Sequence, residues 1–384
     1  MEHLLNNHIK NIEISGIRKF FNLVSQYEDV LSLTIGQPDF YTPEHVKEAA
    51  VKAIQSNKTT YTHNAGIIEL RKAIATFVYE KYNQTYKPDS EIIVTVGASQ
   101  GIDITFRTIL QPGTEVILPG PIYPGYEPLI RLCSATPVHV DTTETNFLLT
   151  ASLLETYITD KTRCIVLPYP SNPTGVTLPE EELEKIAMLL KDKEIFVLSD
   201  EIYSELVFNG KHHSIVKYES MKNKTIIING VSKSHSMTGW RIGFVLGPEY
   251  VMQQMLKVHQ YNVSCTSSIS QYAALEALTA GKNDADEMKK VYEERMEYVY
   301  TRLIKMGIEV VKPNGAFYLL PNIKKFGLSS FDFALKMLEE AKVAVVPGSA
   351  FSAYGEGYVR LSYAYNMDVL EKAMDRMEDF IKNI

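Results

Sequence analysis

Short apolar runs separated by helical segments are the feature that most constrains the fold of this chain. The runs lie at residues 92–96, 116–118, 164–167, 195–198, 226–228 and 244–246. Between several of them lie segments with amphipathic helical spacing, such as residues 99–110 and 179–191. Near-continuous apolar strands that alternate with such helices indicate a mostly parallel sheet covered by helices on both faces. We therefore predict an α/β core.

A second, smaller α+β domain is predicted after Gly281, where the pattern changes. Its predicted elements are a charged helix, two strands and a last helix, at residues 284–305, 316–320, 343–346 and 367–384. Thr42-Pro43-Glu44 is typical of a helix start, with a hydroxyl cap before a first-turn proline. We expect residues 1–44 to contribute to the small domain, with the large domain at 45–280 and the small domain at 281–384.

The composition argues against several classes of protein. With 384 residues, 45% hydrophobic and 22% charged, the chain is typical of a soluble globular protein. Its net charge of −7 and the lack of a Lys/Arg run argue against nucleic-acid binding. Three dispersed cysteines suit a reducing compartment, and no histidine spacing predicts a metal site. No segment has the length of a signal peptide or membrane span, so we expect a cytoplasmic protein.

Polar residues follow the predicted strands at the points where the strands end. In a parallel sheet these ends meet along one edge, where ligands bind. Gly97-Ala98-Ser99 opens a helix there, and a helix N-terminus binds anions through its free N–H groups. Asp200 ends a buried strand, where an aspartate is costly unless it meets a cation or a hydrogen-bond donor. The other polar residues predicted at this edge are Asn172, Tyr203, Ser232, Lys233 and Arg241.

Pyridoxal 5′-phosphate (PLP) is a cofactor that requires this combination of groups. Its aldehyde needs a lysine amine such as that of Lys233, and its pyridine nitrogen needs a carboxylate such as that of Asp200. Its phosphate favours an arginine and a helix N-terminus. The sequence contains neither the glycine motif of dinucleotide sites nor that of P-loops. We therefore predict a PLP-dependent protein.

The segment from Ser232-Lys233 to Gly239-Trp240-Arg241-Ile242-Gly243 resembles a motif of the class I/II aminotransferases. The resemblance continues in order through Gly97-Ala98-Ser99, Tyr123, Asn172-Pro173, Asp200, Tyr203 and residues 357–362. It implies the PLP-dependent transferase fold type I. This is an α/β fold with a mostly parallel seven-stranded sheet sandwiched by helices and a smaller α+β domain.

The resemblance also implies a role for each matching residue. Lys233 forms the Schiff base and then moves the proton, while Asp200 pairs with the pyridinium nitrogen. Tyr203 and Asn172 contact the phenolic oxygen, and Tyr123 stacks on the ring. The residues implied to hold the phosphate are Ala98, Ser99, Ser232 and Arg241.

Substrate binding and assembly are implied in the same way. Arg360 is expected to bind the substrate α-carboxylate together with Asn172 and Gly36, since a planar guanidinium suits a carboxylate. Tyr61 fits the position that reaches the phosphate of a neighbouring subunit, so a homodimer with shared active sites is implied. The expected partners are small amino acids and 2-oxo acids, not nucleic acid or membrane.

Within the family, the chain resembles most the bacillus-type enzymes that act on N-acetyl-L,L-2,6-diaminopimelate. The segments that carry this likeness are residues 12–18, 33–40, 263–268 and 351–357. The implied reaction is a ping-pong exchange with 2-oxoglutarate or glutamate in lysine biosynthesis. An aromatic aminotransferase and a carbon–sulfur β-lyase on the same scaffold remain alternatives. A PLP-sensing regulator would need an additional DNA-binding segment. No residue in the sequence indicates what binds the distal end of the substrate.

Overall fold

The computed structural model describes residues 1–10 and 12–384. Its strands are β1 (Leu31–Ser32), β2 (Ile92–Thr95), β3 (Glu115–Gly120), β4 (Thr136–Asp141), β5 (Thr162–Leu167), β6 (Phe196–Asp200), β7 (Thr225–Gly230), β8 (Gly243–Leu246), β9 (Tyr318–Leu319), β10 (Val343–Ala344), β11 (Val346–Pro347) and β12 (Val359–Ser362). Its α-helices are α1 (Asn7–Lys10), α2 (Gly16–Val24), α3 (Glu44–Gln55), α4 (Ile68–Tyr82), α5 (Gly97–Ile109), α6 (Tyr126–Leu132), α7 (Ala151–Glu155), α8 (Glu180–Leu190), α9 (Glu219–Lys222), α10 (Glu249–Val263), α11 (Ser268–Leu278), α12 (Ala285–Lys305), α13 (Ser330–Lys336) and α14 (Met367–Asn383). Short 3-10 turns and one π-helical turn, Met337–Ala341, connect several of them.

The central sheet contains seven strands in the order β2-β8-β7-β6-β5-β3-β4. Its neighbouring strands are parallel except at β8, which runs antiparallel to both β2 and β7. Every residue of β2, β7 and β8 is buried, because helices cover both faces of these strands. The sequence-based prediction of a mostly parallel seven-stranded sheet is confirmed.

Side chains from alternate positions of the strands enter different hydrophobic cores. Ile227 on β7 packs with residues of α3, α4 and α11, such as Leu70 and Ala274. Its neighbours Ile226 and Ile228 pack on the opposite face with residues of α5, α6 and α10. This period of two is the geometry of a strand buried on both sides. The sheet is therefore held between two helical layers, which fixes the position of its carboxyl edge.

The strand β4 has no counterpart among the six apolar runs of the sequence. It lies at the edge of the sheet and pairs only with β3. Its residues, Thr-Pro-Val-His-Val-Asp, are mostly half-buried or exposed. A proline and polar side chains are tolerated in an edge strand because one side of the ladder needs no partner. For this reason the apolar pattern did not reveal it.

The residues before α3 pack with the C-terminal third of the chain. Strand β1 pairs in parallel with β10, with Leu31 opposite Val343. Phe20, Val24 and Leu33 belong to the same hydrophobic cluster as residues of α12, α13 and α14. A second small sheet has the order β11-β12-β9 and is antiparallel. The division at residues 44 and 280 stays a prediction from the sequence.

Three local predictions were wrong. The hydroxyl of Thr42 does not cap α3: it donates to the Ser236 carbonyl at 2.8 Å and accepts from the Trp240 ring nitrogen at 3.0 Å. The predicted strand at 316–320 shortens to β9, since Ala316 has a positive φ of 56° that ends extended pairing. The predicted strand at 343–346 divides into β10 and β11, which pair with different strands.

Among the described residues, no helix is long and apolar enough to cross a membrane.

Candidate active site

A cavity of about 750 Å³ opens at the carboxyl edge of the central sheet. Its volume lies within the range of small-molecule sites. Of the residues predicted from the sequence, those that line it are Gly36, Ala98, Ser99, Tyr123, Asn172, Asp200, Tyr203, Ser232, Lys233, Arg241 and Arg360. Tyr61 is the predicted residue that does not, and its side chain is 89% exposed. The roles assigned to these residues stay predictions at this point.

Lys233 follows β7 and extends from the sheet into the cavity. Its Nζ donates a hydrogen bond to the Gly36 carbonyl at 2.7 Å. Burial, followed by repulsion from Arg360 and Arg241, lowers the pKa of Lys233 to about 8. A substantial fraction of this amine is therefore neutral near physiological pH, as a nucleophilic lysine requires.

Gly36 is required at its position by the close approach of the Tyr318 side chain. A Cβ on residue 36 would collide with the Tyr318 hydroxyl. This close approach brings the carbonyl of Gly36 over the end of Lys233. The N-terminal segment thus contacts the lysine directly, although it lies far from it in sequence.

Asp200 is the last residue of β6 and is buried at the floor of the cavity. Burial raises the pKa of Asp200 to about 6, while hydrogen bonds from Tyr126 and the Ile202 N–H lower it. The Tyr126 hydroxyl donates to Oδ2 at 2.6 Å, and the Ile202 N–H donates to Oδ1 at 3.2 Å. The carboxyl group is therefore fixed in orientation but lacks a close cationic partner among the described residues. It is suited to bind a protonated ring nitrogen.

The N-terminus of α5 and Arg241 lie together at one end of the cavity. A Cβ on Gly97 would collide with the Arg241 guanidinium, and Gly97 has a φ of +72° that favours glycine. Arg241 itself has a φ of 54°, and its Nη1 donates to the Thr238 carbonyl at 2.9 Å. Ala98 and Ser99 are in the first turn of α5, where backbone N–H groups have no helical acceptor. A guanidinium beside a helix N-terminus is a suitable site for a phosphate.

Arg360 is held on β12 with its guanidinium directed into the cavity. Its Nη1 donates to Asn172 Oδ1 at 2.9 Å and its Nη2 donates to the Thr34 carbonyl at 2.6 Å. The guanidinium lies 4.5 Å from the centre of the Tyr318 ring. Its Nε is buried and has no hydrogen-bond partner among the described residues. An orphaned charged donor in this position indicates a site for an anion such as a carboxylate.

Tyr203 and Tyr318 share a hydrogen bond of 2.8 Å between their hydroxyl groups. Burial raises the pKa of Tyr203 well above its ordinary value, so its phenol remains protonated and able to donate. Their rings meet at a centroid distance of 5.9 Å and an angle of 82°. The Tyr203 ring lies beneath the Lys233 amine and the Tyr318 ring lies beneath the Arg360 guanidinium, so this pair links the two cationic groups.

Sequence reasoning did not identify Tyr126, Tyr318 or Thr34. Tyr126 could have been suspected, because it is a second tyrosine three residues after Tyr123, at the first position of α6. The ring centroids of these two tyrosines are 5.6 Å apart. Tyr318 lies within an apolar segment, and Thr34 acts through its backbone carbonyl. Neither of these two has a sequence signal that separates it from ordinary core residues.

The groups of this cavity fit PLP. A lysine with a lowered pKa, a buried carboxylate and a guanidinium at a helix N-terminus match the aldehyde, ring nitrogen and phosphate of the cofactor. Arg360, with its orphaned Nε, remains for a substrate carboxylate. Among the described residues, no cluster of three or more His, Cys, Asp or Glu side chains could hold a metal ion.

Comparison with known proteins identifies the family. The family model described as aminotransferase class I and II matches residues 28–377. The chain therefore belongs to the class I and II aminotransferases. It is a PLP-dependent enzyme of fold type I, and its substrates are amino acids and 2-oxo acids.

Three similar proteins illustrate the relationship. A protein of Bacillus subtilis (strain 168), named probable N-acetyl-LL-diaminopimelate aminotransferase, is 63% identical over 99% of this chain and 96% of that protein. A solved structure named Pyrococcus protein-A1 superposes with a TM-score of 0.96 at 42% identity, over 98% of each chain. A solved aromatic aminotransferase from Pyrococcus horikoshii OT3 has a TM-score of 0.90 at 42% identity, over 96% of this chain and 99% of that one.

Proposed function

We propose that this aminotransferase exchanges an amino group between N-acetyl-L,L-2,6-diaminopimelate and 2-oxoglutarate or glutamate. The observation that carries this proposal is the near full-length similarity of 63% to a protein named for that substrate. The named aromatic aminotransferase structure is more distant, at 42% identity. The reaction would belong to lysine biosynthesis, and we place the protein in the cytoplasm as a biosynthetic enzyme.

The residues at the carboxyl edge would hold the cofactor. Arg241, the first turn of α5 and Ser232 would bind the phosphate, while Asp200 would bind the pyridine nitrogen. Tyr203 and Asn172 would contact the phenolic oxygen, and Tyr123 would pack on the ring. When bound, PLP withdraws electrons from the α-carbon of an attached amino acid, which makes its proton labile.

Lys233 would move that proton. Its pKa of about 8 allows the amine to accept a proton near neutral pH and to return it in the next half of the reaction. In the cofactor-free protein, the hydrogen bond to the Gly36 carbonyl holds the Nζ atom inside the cavity, where the aldehyde of PLP would meet it. Asp200 assists by keeping a negative charge near the ring nitrogen.

Arg360 would orient the substrate through its α-carboxylate. Two of its nitrogens are fixed by Asn172 and Thr34, so the guanidinium is preorganised and little side-chain entropy is lost on binding. The Nε atom, which has no hydrogen-bond partner among the described residues, gives the carboxylate a charged donor. Gly36 borders the same space, where a Cβ would collide with the Tyr318 hydroxyl.

We also propose a homodimer in which Tyr61 reaches the phosphate of the neighbouring subunit. Its side chain is 89% exposed and lies outside the cavity of its own subunit, as a residue that serves a partner would. Sedimentation of the purified protein gives the oligomeric state. A Tyr61→Phe variant with normal cofactor affinity in a dimer would contradict the shared site.

The absorbance of the bound cofactor tests the proposed reaction. In single turnover, N-acetyl-L,L-diaminopimelate should bleach the visible band and 2-oxoglutarate should restore it. Bleaching by phenylalanine or tyrosine, but not by this substrate, would instead indicate an aromatic aminotransferase. Pyruvate release from cystathionine without any 2-oxo acid would indicate a carbon–sulfur β-lyase. If added PLP gave no band, the assignment of Lys233 would be wrong.

A further inference from the structure

Helix α2 forms one wall of the cavity, and we call this wall the N-terminal side. Its residues that line the cavity are Ile17, Arg18 and Phe21. The opposite face of the helix fixes its position: Phe20 is buried, and a Cβ on Gly16 would lie 2.9 Å from the Ala350 Cβ. Phe20 also packs edge-on against Phe331, at a centroid distance of 6.3 Å. Because a helix has 3.6 residues per turn, this docking turns Ile17, Arg18 and Phe21 together toward the cavity.

Among the described residues that line the cavity, Arg18 is the one charged residue without a role in the proposed function. The charged residues of the lining are Arg18, Asp200, Lys233, Arg241 and Arg360. Lys233 and Asp200 serve the ring of the cofactor, Arg241 its phosphate, and Arg360 the α-carboxylate. Among the described residues, Arg18 has no ion-pair partner, whereas its neighbour Lys19 pairs with Glu13 at 2.7 Å. The cavity therefore contains a positive charge that neither the cofactor nor an α-carboxylate neutralises.

Arg18 has two apolar neighbours on its own helix. Ile17 and Phe21 line the cavity with it, and Phe21 is 41% exposed. An exposed aromatic ring beside a guanidinium suits a ligand with a methylene chain that ends in an anion. The methylene groups would cover Ile17 and Phe21, and the anion would meet Arg18.

We propose that Arg18 binds the second carboxylate of dicarboxylic substrates and so determines the substrate class. This inference rests on the proposed function. Glutamate and 2-oxoglutarate carry a second carboxylate at the end of their chain. N-acetyl-diaminopimelate also carries one, at the end remote from the reacting amine. A single guanidinium on the N-terminal side can therefore serve both halves of the exchange, whereas an aromatic amino acid has no group for it.

Binding of unreactive acids to the cofactor-loaded enzyme gives a readout that is independent of turnover. Glutarate and valerate have the same number of carbons, but only glutarate has a second carboxylate. By calorimetry, Arg18→Ala should weaken glutarate binding about 10- to 100-fold and change valerate binding less than about twofold. Arg18→Lys should retain part of the affinity, because it keeps the charge but loses the planar fork.

The half-reaction gives the matching kinetic test with glutamate and glutamine, which differ at the distal group. Arg18→Ala should lower the single-turnover efficiency with glutamate about 10- to 100-fold and leave glutamine nearly unchanged. Lys19→Ala, on the same helix but paired with Glu13, is the control and should change neither substrate.

The outcomes separate this inference from the proposed function. Equal losses for glutarate and valerate would mean that Arg18 only supports the wall, and no loss for either would mean that it does not bind substrate. Both results would overturn the inference while the wild-type exchange reaction still stands. Failure of the wild-type enzyme to react with any dicarboxylic amino acid would overturn the proposed function itself.

Discussion

The two sides of the cavity are built in different ways. On the side of the central sheet, Asp200, Tyr203 and Ser232 are buried, and Asp200 has hydrogen-bond partners on α6 and in its own loop. On the N-terminal side, Arg18 and Phe21 are exposed, and Arg18 has no ion-pair partner among the described residues.

This difference indicates a division of tasks. Residues anchored on rigid, buried strands keep their geometry, which suits a cofactor that stays in place. Residues on an exposed helix can adjust and exchange with water, which suits substrates of different length that must enter and leave. Substitutions on the sheet side should therefore affect the chemistry for every substrate, whereas those on the N-terminal side should discriminate among substrates.

The largest effect is expected for Lys233→Ala. Loss of the group that moves the proton should lower single-turnover rates by about 10⁴-fold for all amino acids alike. Stopped-flow absorbance with glutamate and glutamine measures this. If only glutamate lost activity, the contrast between the two sides of the cavity would be refuted.

Asp200→Asn should lower the rate of the reaction but raise the stability of the apoprotein at pH 7. Without the carboxylate, turnover should fall about 10²- to 10³-fold, because the ring nitrogen loses its charged partner. The pKa of Asp200 is raised from 3.8 to about 6, so the folded apoprotein binds more protons than the unfolded chain in that window. The contribution of Asp200 to the free energy of unfolding therefore falls as the pH rises from about 4 to about 6. At pH 7 the buried, charged carboxylate destabilises the folded apoprotein.

The apoprotein of Asp200→Asn should accordingly be more stable at pH 7 by about 1–3 kcal/mol, and this gain should shrink toward pH 4. Urea unfolding of both apoproteins at the two pH values measures it. A lower stability of the variant at pH 7 would show that the hydrogen bond from Tyr126 outweighs the cost of burying the charge.

Arg360→Gln should weaken every substrate that has an α-carboxylate. We expect the dissociation constants of both glutarate and valerate to rise about 10- to 100-fold, since the buried guanidinium binds the group that they share. Calorimetry on the cofactor-loaded enzyme measures both. A loss confined to glutarate would assign to Arg360 the task that we give to Arg18.

The smallest effect concerns the titration of Lys233. Since its pKa is lowered to about 8, the rate at which the apoprotein captures PLP should rise with pH and level off above about pH 8. One pH unit below this point, about a tenth of the amine is neutral. Arg360→Gln should move the midpoint of this pH profile upward, because repulsion from Arg360 is the largest cause of the lowered Lys233 pKa after burial. An unchanged midpoint would mean that Arg360 does not lower the pKa of Lys233 and that burial and Arg241 account for the shift.

The sheet side of the cavity was predictable from the sequence because its residues follow strands. Asp200 and Lys233 lie two and five residues after apolar runs, and parallel strands bring such positions to one edge. The N-terminal side was not predictable, since it depends on the approach of segments that are distant in sequence. Arg18 has no local signal, and only the docking of α2 through Phe20 places it in the cavity.

The local errors have similar causes. Thr42 matched the pattern of a helix cap, but its hydroxyl forms tertiary hydrogen bonds with Trp240 and Ser236. Strand β4 was missed because an edge position accepts polar residues and a proline. In each case a long-range contact decided the structure, whereas the sequence pattern reports only near neighbours.

The pairing of β1 with β10 has a consequence for synthesis on the ribosome. Arg18 and Gly36 leave the ribosome early, but their segment cannot dock until Val343 and its neighbours have been made. Every residue proposed to bind the cofactor within one subunit, from Ala98 to Arg241, has been synthesised before Val343. A nascent chain therefore acquires all its groups for PLP first, and its means of distinguishing substrates is assembled only when synthesis is nearly finished.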